Sequence, residues 1–288
     1  MANVLVMTDT VSSIPEELAK KNRITIVPAA NIHYNGTDYI DGITISASQA
    51  YEFIKKDPDR FMTSALQPGA LIEEFSKVSS ESQNILFISL SSALSALNRT
   101  ASIAAEQFQE KSPQTTIKIF DSKTVASSQG LIALAVADVA NKGMSLDKVM
   151  DVAEKVRRLT RGVMMLDTLR YVYRTGRMSK MGSRIASLFN IKPINEITDE
   201  GKVEMVDRTR NREHGLELLL SYIKQKSTTK SLHFMVTHAA APDIAEQLNN
   251  MIRKEFECLS LVTGDYSPVM GYGAGPGAIF VGFRPELD

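Results

Sequence analysis

The sequence predicts an α/β fold in two parts: a mostly parallel sheet covered by helices in residues 1–160, then a smaller α/β domain in residues 161–288. Three observations carry this. Apolar runs of strand length alternate with runs of helical spacing from the first residues onward. The length of 288 residues lies near the size at which single cores divide. Strands in the first half end in Thr, Ser and Asp, at TDTVSS (8–13), SLSSALS (89–95) and FDSKTVASS (120–128). In open α/β sheets that edge is where ligands bind.

Residues 4–7 read as a buried strand, 15–21 as a short helix with proline in its first turn, and 24–34 as one returning strand. Asn35-Gly36 signals a tight turn, Ser46 to Gln49 forms a capping-box pattern ahead of a helix at 51–56, and MTSALQPG (62–69) is a loop before a helix over 68–75. Residues 84–104 organise the rest. Ile85 to Ile88 favour a strand, and from Leu94 the spacing turns helical, with Leu97, Ala101 and Ala104 on the same side. A strand at 117–120 and a long helix of small residues at 125–141, ended by Gly143, follow. A charged amphipathic helix at 145–160 leads to a strand at 162–166 that crosses into the second domain. That domain contains two short helices broken at Gly176, a hairpin from IKPINEI and KVEMVDR, helices at 211–226 and 242–256, and strands at 232–236, 259–262 and 278–283.

Lys+Arg and Asp+Glu balance at 33 each, so no global basic field is available to hold nucleic acid or an anionic membrane. The single cysteine, Cys258, excludes a disulfide framework within the chain and leaves no cysteine cluster for zinc. No apolar run approaches a membrane span, and no basic segment precedes the first apolar run, so the expectation is a soluble protein of a reducing cytoplasm. His33, His214, His233 and His238 are scattered without an i, i+4 pair, which argues against a metal site. The alternating glycines from Gly271 to Gly277 are not a dinucleotide loop, because too little chain follows for a βαβ unit; they fit a close backbone approach.

Ser91, Ser92 and Ser95 stand where the first N–H groups of a helix lack partners, a place that attracts an anion or merely holds caps. No lysine or arginine lies between residues 80 and 98, so a singly charged carboxylate fits better than a polyphosphate. Asp9 and Asp121, at strand ends, read as caps or turn formers. Ala126 to Gly130 loosely imitates a nucleophile elbow, which leaves a serine hydrolase using Ser128 and His238 as the rival from another class. Between Lys155 and Arg184 nine bases face one acid, Asp167. Arg170, Arg174 and Arg177 make a stripe beside Tyr171 and Tyr173 that is either solvated surface or a docking face. Met164, Met165, Met178 and Met181 cluster near Leu188 and Phe189, and methionine serves flexible apolar guests as well as core gaps.

VMTDTVSSIP, TSALQPG, ISLSSALSALNRTA, IFDSKTVASSQG, LDTLRYVYRTGRMSK, IKPINEI with DEGKVEMVDRTR, and GYGAGPGAI occur in the order of one family. The chain resembles the DegV family, bacterial fatty-acid-binding proteins that act as acyl-carrying subunits of fatty acid kinases. The resemblance implies a ligand tunnel between two α/β domains, with the carboxylate held by Thr63, Ser64, Ser91, Ser92 and Ser95 and with Gly273 nearby. The acyl chain is expected along Leu94, Met164, Leu166, Leu188, Phe189 and Met270, and the basic stripe of Arg170, Arg174 and Arg177 is the expected kinase-docking face. No cofactor is expected beyond the bound fatty acid. The chain has no GxxxxGK[ST] loop, so phosphoryl transfer falls to the partner. Lipid exchange would add transient membrane contact, and a lipid sensor without a kinase partner is the third reading. One departure stands out: where the family commonly has a histidine two residues before GPG, this chain has Gly273, with Tyr272 or water left to replace it.

Overall fold

The computed structural model describes residues 4–177 and 191–287. In chain order the strands are β1 (Leu5–Asp9), β2 (Ile24–Val27), β3 (Ala30–Tyr34), β4 (Thr37–Ile40), β5 (Phe61–Ala65), β6 (Asn84–Ser89), β7 (Thr116–Asp121), β8 (Arg161–Met165), β9 (Lys192–Ile197), β10 (Val203–Thr209), β11 (Ser231–His238), β12 (Glu257–Asp265) and β13 (Ile279–Pro285). The helices are α1 (Glu16–Lys21), α2 (Ala47–Lys56), α3 (Pro68–Ser79), α4 (Leu97–Lys111), α5 (Ala126–Asn141), α6 (Leu146–Leu159), α7 (Arg170–Thr175), α8 (Arg212–Lys226), α9 (Pro242–Glu255) and α10 (Pro268–Ala274).

Among the described residues these strands form three sheets. The first is parallel throughout, in the order β2-β1-β6-β7. Its central strands β1 and β6 are apolar runs buried on both faces, as expected where helices cover a parallel sheet. A second, antiparallel sheet has the order β4-β3-β5. The third, drawn entirely from residues after 160, runs β10-β9-β8-β13-β11-β12, and only β11 and β12 pair in parallel. The structure is thus mixed α/β, with parallel pairing concentrated in the first half.

Helix α5 lies between the first and third sheets. It is mostly apolar with no distinct polar face, and twelve of its residues are buried, which marks a helix enclosed over most of its length, with Asp138 and Asn141 exposed near its end. Its first turn faces both sheets. Ser127 Oγ lies 2.7 Å from Thr237 Oγ1 and donates to the Phe280 carbonyl, while Ser128 Oγ donates to the Arg161 carbonyl at 2.9 Å. On the other side Gln129 Nε2 donates to Thr8 Oγ1 (3.0 Å) and Asp9 Oδ2 (2.9 Å). Gly130 permits this approach, because a Cβ there would stand 2.7 Å from both Met235 Sδ and the Ser12 carbonyl.

Several elements differ from the sequence reading, each for a local reason. The strand expected at 24–34 divides at Pro28, whose ring nitrogen cannot donate to a ladder; β2 joins the first sheet and β3 the second. Residues 61–65, expected in a loop, form edge strand β5, anchored by fully buried Phe61, with Thr63 opposite Ile32. The turn at Asn35 and Gly36, both at positive φ, closes β3 onto β4 as a two-residue hairpin. Helix α4 begins at Leu97 rather than Leu94, because residues 90–96 are tied elsewhere. The glycine-rich tail winds into α10, capped by Ser267, whose hydroxyl accepts from Met270 N–H. Strand alternation separates two methionines read as one cluster: Met164 joins the core around β1, β3 and β6, and Met165 the core beneath α8. Met178, Met181, Leu188 and Phe189 lie outside the described residues.

Asp9 is the knot of the first sheet. Its carboxylate accepts from Val11 N–H (3.0 Å), Leu90 N–H (2.8 Å) and Gln129 Nε2, so one side chain joins β1, the segment after β6 and α5. Burial pushes it up to about 7 against these three donors, and burial likewise raises Asp41 to about 6. In the unfolded chain both lose their protons near 3.8. Between these values the folded protein holds more protons, so stability is greatest below the unfolded pKa and falls as pH rises towards the folded one. Denaturant midpoints should therefore drop between pH 5 and pH 8, with Asp9 contributing up to about 3 kcal/mol. Asp9→Asn should flatten that slope whatever its effect on absolute stability; a slope unchanged in the variant would exclude Asp9 as its source.

Candidate ligand cavity

A cavity of about 230 Å³ opens where the three sheets approach one another. The second sheet contributes Ala30, Thr63, Ser64 and Ala65; the segment between β6 and α4 contributes Leu90, Leu94, Ser95 and Ala96; and Val125 closes it ahead of α5. From the second half of the chain come Met164 and Leu166 at β8, Val172 and Thr175 of α7, Val203 of β10, and Met270, Tyr272 and Gly273 of α10. The wall is mostly aliphatic. Its polar groups are few, and Arg177 is the one charged side chain lining it among the described residues.

The residues singled out in the sequence divide here. Thr63, Ser64, Ser95 and Gly273 line the cavity, as do Leu94, Met164, Leu166 and Met270. Ser91 and Ser92 do not. Ser91 is fully buried and its hydroxyl donates to the Gly201 carbonyl at 2.8 Å, fixing the hairpin of β9 and β10. Ser92 Oγ donates to Asp121 Oδ2 at 2.5 Å, and Asp121 also accepts from the N–H groups of Ser92 and Lys123. These two serines thus hold the segment in place. Ser95 accepts from Leu97 N–H at 3.2 Å, which leaves its own proton available to a guest.

The arginines also separate. Helix α7 ends at Thr175, with Gly176 left-handed at φ 68, so Arg177 leaves the helical stripe and turns into the cavity wall, where its Nε reaches the Leu94 carbonyl at 3.5 Å. Arg174 pairs with Asp59 at 3.0 Å, reaches the Phe61 carbonyl and lies over the Tyr272 ring, 5.2 Å from its centroid. It therefore braces the cavity wall. Arg170 is exposed. Asp167 does not neutralise this stripe: burial alone would raise its carboxyl, but bonds from Lys192 and Arg212 hold it below its ordinary value.

Two polar features escaped the sequence reading. His33 Nε2 lies 2.8 Å from Ser64 Oγ, and its Nδ1 lies 2.6 Å from Asp38, so the imidazole orients a cavity hydroxyl from behind. The hairpin signal at Asn35-Gly36 carried half of this, since a two-residue turn sets His33 opposite Asp38. Its contact to Ser64 required knowing that 61–65 is a strand. The second is the place of Arg177, read along the sequence only as part of the docking stripe: it lines the cavity, with its Nε at the carbonyl of Leu94, 83 positions away. A Cβ placed on Gly273 meets no atom within 4 Å, and beside it the Tyr272 ring packs 5.7 Å from that of Phe61.

Ser128 and His238 are not brought together as nucleophile and base. Ser128 is buried and bonded to the Arg161 carbonyl, whereas His238 Nδ1 stands 3.2 Å from Asp265 Oδ1. Burial holds the His238 imidazole below its ordinary value despite that carboxylate. Among the described residues, no helix is long and apolar enough to cross a membrane.

Comparison with known proteins places the chain. A family model described as "Uncharacterised protein, DegV family" matches residues 3–286. A DegV domain-containing protein of Caldanaerobacter subterraneus is 26% identical, over 99% of this chain and 100% of its own length. Among solved structures, a fatty-acid-binding DegV family protein from Thermus thermophilus superposes with a TM-score of 0.88 at 20% identity, covering 99% of this chain and 100% of that one. The Streptococcus pneumoniae fatty acid kinase B3 protein, loaded with linoleic acid, gives a TM-score of 0.85 at 16% identity, covering 98% and 99%. Since the family model spans nearly the whole sequence and the fold is shared end to end, the chain belongs to the DegV family.

Proposed function

We propose that this protein binds a long-chain fatty acid in the cavity and presents its carboxylate to a separate kinase, which forms the acyl phosphate. The observation that carries this reading is the polarity of the wall: aliphatic side chains over most of its area, with hydroxyls from Thr63, Ser64 and Ser95 and the guanidinium of Arg177 gathered among them. An aliphatic tail satisfies the first set, and a carboxylate, which only accepts hydrogen bonds, satisfies the second. Fatty acids occupy related folds: the pneumococcal protein carries linoleic acid, and a Ruminococcus gnavus family member carries vaccenic acid. A carrier role without catalysis, a cytoplasmic location and transient membrane contact for lipid exchange belong to the same reading. A lipid sensor would share the cavity and differ only in lacking the kinase.

Native mass spectrometry of protein purified from bacteria should reveal a co-purifying fatty acid; reproducibly empty protein would count against the reading. Thr63→Ala combined with Ser95→Ala should weaken fatty-acid binding at least tenfold with the fold intact, because charge-assisted bonds contribute about 1.5–3 kcal/mol each. Equal affinity in that double variant would move the head group elsewhere.

The exposed face of α7 is the proposed kinase-docking surface. Arg174 is already engaged with Asp59 and Tyr272, so the informative change is Arg170→Glu. It should leave bound lipid unchanged and slow acyl phosphate formation several-fold, most clearly at low salt, where screening is weak. Normal turnover under those conditions would assign docking to another face.

A further inference from the structure

His33, on β3, joins two side chains that strand pairing brings to one face of the second sheet. Asp38 stands directly opposite it on β4, and Met62 stands opposite it on β5, two residues before Ser64. The imidazole bridges the sheet: Nδ1 lies 2.6 Å from Asp38 Oδ1, and Nε2 lies 2.8 Å from Ser64 Oγ. Ser64 is exposed and also lines the cavity, which places it at the rim. Among the described residues, Asp38 is the charged partner of the ring from β4, and β5 offers Met62 and Ser64. Around the hairpin, Arg60 is bonded to Asn35 and paired with Asp57, and Asp59 is paired with Arg174.

The direction of the two bonds follows from counting protons. A carboxylate only accepts, so Nδ1–H donates to Asp38. In a neutral ring Nε2 is then an acceptor that takes the single proton of Ser64, and the hydroxyl has only lone pairs left for a guest. In a charged ring Nε2–H donates to Ser64 Oγ instead, which releases the serine proton. The two states thus present opposite ends of one hydroxyl, and only the charged state lets Ser64 donate to an ionised carboxylate.

We infer that His33 is a positioning residue that couples binding of the carboxylate to uptake of one proton, through the hydroxyl of Ser64. The proton comes from solvent, stays on the imidazole while the carboxylate is bound and returns when it leaves. Affinity for an ionised fatty acid therefore falls as pH rises through the range, about pH 5 to 8, in which imidazoles lose their charge. The guanidinium of Arg177, in the same cavity wall, keeps its charge across this range and adds no slope. This inference rests on the fatty-acid reading of the cavity.

The test uses the delipidated full chain, a fluorescent fatty acid as the displaced probe, and palmitate and 1-hexadecanol as competitors, from about pH 6 to about pH 8.5. An alcohol head group both donates and accepts, so it meets either state of Ser64 and serves as the reference. The ratio of palmitate affinity to hexadecanol affinity should fall about tenfold over that range, reflecting the loss of one charge-assisted bond. Calorimetry of palmitate binding in two buffers of different ionisation heat should show net proton uptake. In His33→Gln nothing titrates at that position, so the ratio should stay constant and the uptake disappear. In Ser64→Ala the ring still titrates but the hydroxyl that carries the effect is gone, and the ratio should again be constant. The titration of palmitate itself is common to all three proteins and cancels in the comparison. A constant ratio in the unaltered protein, or an undiminished slope in either variant, overturns the coupling and leaves the fatty-acid reading standing. Failure of both the probe and palmitate to bind at every pH overturns the two together.

Discussion

The first turn of α5 is the constraint on which the rest depends. Over most of its length α5 is enclosed by the two sheets, and nearly every polar side-chain atom of its first turn is supplied with a partner, Gln129 Oε1 being buried without one among the described residues. Ser127 and Ser128 find theirs on the third sheet, and Gln129 finds them on the first. Leaving any one of these buried groups unpaired would cost about 1–3 kcal/mol. Close approach matters equally: Gly282 stands so near Ser127 that a Cβ would lie 2.7 Å from its carbonyl carbon, and Gly162 lies as tightly against Ser128 Oγ. The two halves of the chain are thereby held in one register, and the serine pair that imitates a nucleophile is consumed in holding them.

The cavity is a consequence of that arrangement. Val125, just ahead of α5, forms part of its wall, and Asp9 ties Leu90 N–H and Gln129 together so that the segment leading to Ser95 is fixed relative to the helix. Further along, Ser91 and Ser92 anchor the same segment to Gly201 and Asp121. A short run of serines is therefore split by function. Those with partners inside the protein set the geometry, and Ser95, whose hydroxyl accepts from Leu97 N–H, lines the cavity. On the opposite wall, His33 performs a comparable service for Ser64, holding the hydroxyl from the solvent side. A preorganised hydroxyl loses little freedom on binding a ligand.

The basic segment follows similar logic. Its arginines look equivalent along the sequence, yet they stand in three environments: Arg170 in solvent, Arg174 against Tyr272 and Asp59, and Arg177 in the cavity wall. The left-handed turn at Gly176 makes the last of these divisions, because it ends α7 and redirects the chain. Exposed ion pairs such as Arg174 with Asp59 add little stability alone. Their use here is positional, bracing the aromatic ring that borders Gly273.

Patterns of period two and 3.6, with caps and turn residues, were enough to determine the alternating elements, the parallel first sheet, the Asn35-Gly36 hairpin and the capping box at Ser46. These depend on neighbours within a few residues, and local sequence records them directly. Of the hydroxyls at the strand ends of the first sheet, Ser95 alone lines the cavity, and it does so beside Thr63 and Ser64 of β5 in the second sheet. Which serine faces the cavity could not be read locally, because Ser91, Ser92 and Ser95 differ only in what lies across the fold: Gly201, Asp121, or the cavity. The strand at 61–65 was hidden for the same reason, since its edge pairing comes from β3 and its anchor is Phe61 in a distant core. Tertiary structure alone decided the place of Arg177 and the support of Ser64 by His33. In each case the deciding partner is remote in sequence, and burial turns that remote contact into a requirement.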